Sequence, residues 1–133
     1  MLTSSGTLRV RAYTAGGALP VEGAIVRVFG ASEDTRFQAF QSITDRDGLS
    51  EKFTLPAPDV ALSLTPNPSQ TPYSLYDIEI SKDGYYTKHI KGLTVFPGIS
   101  SVQLVNMTPG SGNMVENYPR GNINYIIPEN DEL

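Results

Sequence analysis

Tyr73-Ser-Leu-Tyr-Asp-Ile-Glu-Ile-Ser-Lys-Asp-Gly-Tyr-Tyr86 is the stretch on which the fold turns. Its first half alternates: Tyr76, Ile78 and Ile80 point one way, Leu75, Asp77 and Glu79 the other. A side-chain period of two is that of a strand with one buried face. Lys82-Asp83-Gly84 then supplies a tight turn, because Gly accepts positive φ and Asp bonds its own backbone. Tyr85 and Tyr86 open the returning strand, so the stretch predicts a β-hairpin.

Working outward, the same alternation recurs. In Gly6 to Tyr13, Leu8, Val10 and Ala12 face the core, while Thr7, Arg9, Arg11 and Tyr13 face out. Ala24 to Phe29 follows a Gly-rich connection, with Ala24, Val26 and Val28 inward. Arg36 to Ile43 is polar enough to be an edge strand. Thr44-Asp-Arg-Asp-Gly48 is a second turn signal, leading into Leu49 to Leu55. Thr87 to Phe96 completes the hairpin, either unbroken or split near Gly92. Ile99 to Met107 comes last, with Val102 and Leu104 competing against Val105 and Met107 for the core. No capped helix pattern is present. Short strands separated by Gly and Pro turns predict an all-β, seven-stranded antiparallel sandwich.

Five prolines fall between Pro56 and Pro72. Proline lacks a ladder donor, so this segment is expected to be a long Greek-key crossover between the sheets. Pro109 to Asn113 is expected to close the sandwich, giving a domain over 1–108 and a tail over 109–133 rich in Pro, Asn and acid. Within the tail, Ile123, Tyr125, Ile126 and Ile127 cluster. A free linker has no reason to keep such groups together, so the segment is expected to dock as an added strand on its own sandwich, a neighbouring copy or a partner. Pro128 would stop it, and the acidic residues after Pro128 would stay in solvent.

Length and charge bound the function. At 133 residues and 39% hydrophobic content, the chain supports one buried core. No apolar run is long enough for a membrane helix, so no membrane insertion is expected. The opening residues show no signal peptide, which leaves the cytoplasm or a spore or cell envelope as locations. Ten basic and fourteen acidic residues give a net charge of −4, with the basic ones scattered, so nucleic acid is not an expected partner. The chain has no cysteine, which removes disulfides and thiolate chemistry.

Several segments together resemble the carboxypeptidase regulatory-like and transthyretin-like domains: Gly6-Thr-Leu-Arg-Val10, Leu19-Pro-Val-Glu-Gly-Ala-Ile-Val-Arg-Val28, Thr44 to Gly48, Leu55-Pro56, and Tyr76 to Ile80 leading to Asp83-Gly-Tyr85. A longer pattern is similar to the N-terminal regions of clostridial spore cortex-lytic and peptidoglycan-binding proteins. It runs through Leu55-Pro-Ala-Pro58, Thr71 to Asp77, Asp83 to Tyr86, Val95-Phe-Pro-Gly-Ile99 and Gln103 to Pro109. The resemblance implies a transthyretin-like sandwich serving as an accessory module of a Gram-positive wall or spore-envelope protein.

Residues that could carry chemistry read mostly as structural. Asp45-Arg-Asp47-Gly48 resembles the start of a calcium loop but lacks the later ligands, so a hairpin turn is expected and no metal. His89 is the only histidine and has no evident nucleophile or orienting acid. The related hydrolases of hydroxyisourate use several histidines, which this chain lacks. The isopeptide-forming adhesin repeats need a first-strand lysine where this chain has Thr7, Arg9 and Arg11. The chain is therefore expected not to be an enzyme, to need no cofactor, and to bind a protein or cell-wall component. The alternative is a glycan or peptide site on the face of the hairpin, at Tyr73, Tyr76, Tyr85 and Tyr86, where aromatics offer flat area with a polar tip.

Overall fold

The computed structural model describes residues 4–59, 72–117 and 126–128. Two mixed sheets pack face to face around one apolar core. The four-stranded sheet is built on β1 (Ser4–Thr14), which pairs antiparallel with β5 (Phe53–Ala57) and with the short β2 (Leu19–Pro20), and parallel with β8 (Ser100–Asn106). The six-stranded sheet places β3 (Ile25–Gly30) between β4 (Ala39–Ile43) and β6 (Ser74–Ser81). It continues through β7 (Thr87–Val95) and β9 (Asn113–Asn117) to β10 (Ile126–Pro128).

The alternation seen in the sequence does the packing. Leu8, Val10, Phe53 and Leu55 from one sheet meet Val26, Val28, Ile78, Ile80 and Ile90 from the other, all buried. Each contributes roughly 1.5–3 kcal/mol at full burial. Tyr76 spans the core, and its hydroxyl donates to the Pro56 carbonyl of the facing sheet at 2.7 Å. Burial, with Asp34 adding to it, pushes that phenol well above its usual value. On β8, Val105 and Met107 take the core, and Val102 and Leu104 stand exposed.

The structure differs from seven antiparallel strands in two ways. β2, β9 and β10 are additional, and two pairings, β1–β8 and β7–β9, are parallel. The cause is where the crossing loops are tied. Gly98 N–H donates to the Ser5 carbonyl and Thr7 N–H to the Ile99 carbonyl, so β8 begins beside the beginning of β1 and runs with it. Tyr86 N–H donates to the Thr108 carbonyl and Thr87 N–H to the Gly112 carbonyl, which sets β9 beside the beginning of β7 in the same way. Past residue 109, the expected end of the sandwich, Asn113–Asn117 is thus a strand of the six-stranded sheet.

Smaller departures have local causes. Pro56 lies inside β5, which among the described residues pairs with β1 alone, so it stands on an edge strand where a missing N–H is tolerated. Leu49 makes a lone bridge to Arg11, and the ladder proper starts at Phe53, later than expected. A 3-10 turn, Glu33–Thr35, leads into β4: Thr35 is buried, accepts the Ser32 N–H and donates to the Leu75 carbonyl. β7 is unbroken at Gly92, which instead sits at a bulge where its N–H donates to Asp77 Oδ1. Most of the proline-rich segment, residues 60–71, lies outside the described residues.

Candidate functional site

The outer face of the six-stranded sheet carries a row of polar side chains. Register places Gln41 beside Arg27, Arg27 beside Glu79, Glu79 beside His89 and His89 beside Val115. Neighbouring strands lie about 4.8 Å apart, so these groups form a line across the sheet. Arg27 Nε donates to Gln41 Oε1 and Arg27 Nη1 to Glu79 Oε2, both at 3.2 Å. His89 Nε2 lies 2.9 Å from Asn113 Oδ1. One row further, Lys91 Nζ stands 3.8 Å from Asp77 Oδ2. Ion pairs this exposed contribute about 0–1 kcal/mol, so exchanging them for a ligand's hydrogen bonds costs the fold little.

In the other direction the face ends in a cleft of about 420 Å³. Ile25, Ser81 and Thr87 form its floor and continue the strands of the polar row. Its rim is the Lys82–Tyr85 turn on one side and Gly110-Ser111-Gly112 on the other. Tyr85 N–H donates to the Lys82 carbonyl, with Gly84 at φ +89, and Gly110 N–H donates to the Gly84 carbonyl, joining the two rims.

The four tyrosines of the hairpin are not brought together. Tyr76 is fully buried and belongs to the core. Tyr73 stands at the far end of β6, its ring 5.5 Å from that of Phe96. Only Tyr85 lines the cleft, and beside it the Tyr86 ring packs against Gly110. The expected docking segment is described in part. Ile123 and Tyr125 lie outside the described residues, while the backbone of Ile126 and Ile127 pairs with Glu116 and Val115 of β9.

Two features of the site gain meaning only in the folded chain. Arg27 and His89 stand alone as sequence positions, and only cross-strand register puts them in one row. Lys88 is the other: it is buried, in phase with Ile90 on the inner face of β7. That phase was visible in the alternation. Burial holds its amine below the ordinary lysine value, offset by Glu116; burial likewise pushes the Glu116 carboxyl up, offset by Lys88. At the other acidic motif, Asp45 Oδ1 accepts the N–H groups of Leu49 and Asp47, which lower its pKa. Among the described residues no group of three or more His, Asp or Glu side chains is placed to hold a metal ion.

No family model matches the chain, and no curated protein sequence does. Solved structures share its fold. The TIE protein of Bacillus anthracis aligns over 80% of this chain and 17% of its own, with 16% identity and a TM-score of 0.51. A putative carbohydrate-binding protein of Bacteroides uniformis aligns over 78% of this chain and 41% of its own, with 11% identity and a TM-score of 0.50. The 3-chlorocatechol 1,2-dioxygenase of Rhodococcus opacus aligns over 80% and 60%, with 12% identity and a TM-score of 0.53. The chain thus spans less than two thirds of each, and identities this low speak to the fold alone. The last finding corrects the expectation that the chain is not an enzyme. That expectation rested on the lone His89 and on catalytic sets that the chain lacks, whereas the same fold occurs in dioxygenases, which are enzymes.

Proposed function

We propose that the chain is a binding module of the transthyretin-like, carboxypeptidase-regulatory type that holds a glycan strand of a bacterial wall or spore envelope. The ligand lies across the outer face of the six-stranded sheet, with one end in the cleft beside Lys82. The observation that carries this reading is the continuity of the cleft with the row His89, Glu79, Arg27 and Gln41. A polymer with hydroxyls at regular intervals meets donors and acceptors at each strand crossing. Tyr85 is the hairpin tyrosine that serves the site, with Tyr86 supporting its rim. A putative carbohydrate-binding protein among the structures of the same fold supports the ligand class. The test is co-sedimentation of the full chain with insoluble wall glycan. Retention that soluble glycan fragments compete away is expected; a chain that stays in the supernatant overturns the reading.

A further inference from the structure

Resting on that reading, we infer that the cleft takes an acidic sugar unit, its carboxylate on the Lys82 ammonium and its hydroxyls on Asp83 and the Ser111 side. Lys82 lies with its Nζ over Gly23, 3.2 Å from where a β-carbon would stand, and among the described residues it has no ion-pair partner. Around it, the backbone N–H groups of Asp83, Gly84, Ser111 and Gly112 donate to no backbone carbonyl among the described residues. The lining therefore offers one cation without an ion-pair partner among the described residues, which suits an oxygen atom bearing negative charge.

Three observations narrow the class. Asp83 also lines the cleft, and the chain carries a net charge of −4. A single carboxylate is balanced by Lys82, whereas a dianionic phosphate would add uncompensated charge beside Asp83. Asp83 accepts hydrogen bonds only, so the ligand must bring donors next to its acid, as a sugar ring does. Tyr85 at the rim and Ile25 on the floor give the ring apolar surface. A peptide's free carboxyl end is the competing ligand. The strands under the cleft, β3, β6 and β7, each have both edges paired, so a peptide finds no free ladder to join.

The experiment titrates the full chain with oligogalacturonate and, in parallel, with its neutral methyl ester. The acid form is expected to bind about tenfold more tightly, a ratio that one charge-assisted hydrogen bond sustains. Lys82→Ala should abolish the difference and Lys82→Arg should keep it, both with an unchanged melting temperature. Equal binding of acid and ester overturns the inference and leaves the glycan reading standing. So does an undiminished preference in Lys82→Ala. Binding of a peptide with a free carboxyl end, with neither sugar bound, overturns the inference in favour of the peptide. The wall co-sedimentation judges the broader reading separately.

Discussion

Gly48 and Gly84 both adopt positive φ, +79 and +89, as the Asp-Gly turn signals in the sequence require. They differ in what surrounds them. A β-carbon on Gly84 meets nothing within 4 Å, whereas one on Gly48 would stand 2.3 Å from the Ala12 carbonyl oxygen. Gly84→Ala should therefore cost only the left-handed strain, about 1–2 kcal/mol. Gly48→Ala should cost clearly more, because the backbone must also part. Thermal melts of the two variants check the order, and equal losses would contradict the packing at Gly48. Turn chemistry at these residues was legible because it depends on the local chain alone. Tyr76 was legible by phase as a core residue, but its hydrogen bond to Pro56 was not, since the acceptor lies in the other sheet.

At the scale of the element, β9 is held by more than its ladder. Lys88 on β7 and Glu116 on β9 face inward two residues apart in register, each disfavoured in its charged form by burial and offset by the other. The signs follow. Glu116 has a folded pKa above 4.5, so folding binds a proton between 4.5 and that raised value, and its contribution to stability falls as pH rises through this window. Lys88 has a folded pKa below 10.5, so its contribution rises with pH from that lowered value to 10.5. Glu116→Gln should flatten the acid window in denaturant titrations, and Lys88→Met the alkaline one. A double-mutant cycle should give a coupling of about 0.5–3 kcal/mol. A coupling of zero would mean the two side chains do not meet. Truncation after Pro109 removes β9 and leaves an edge of β7 unpaired; the shortened chain should melt lower and self-associate. An unchanged melt and elution volume would show that residues 110–133 add nothing to the sandwich. The sequence carried the seven main strands but not β2 or β9, nor the parallel pairing, because a parallel pair has no turn between its members to announce it.

At the scale of the whole molecule, two sheets around one core were readable from alternation, while the candidate site was not. Its parts, Arg27, Glu79, His89, Lys82 and Ser111, come from four separate segments and meet only once register is set. The same fold in a putative carbohydrate-binding protein and in dioxygenases leaves the outer face, rather than the fold, to decide what the chain does. The most direct measurement compares wall-glycan binding by single variants on the two outer faces. Arg27→Ala and His89→Ala lie on the six-stranded sheet, and Arg11→Ala and Val102→Ser on the four-stranded one. Each of the first two should weaken binding about fivefold or more, the usual effect of removing a ligand hydrogen bond, and the second two should leave it unchanged. Equal losses on both faces, or losses confined to the four-stranded sheet, would contradict the placement of the ligand.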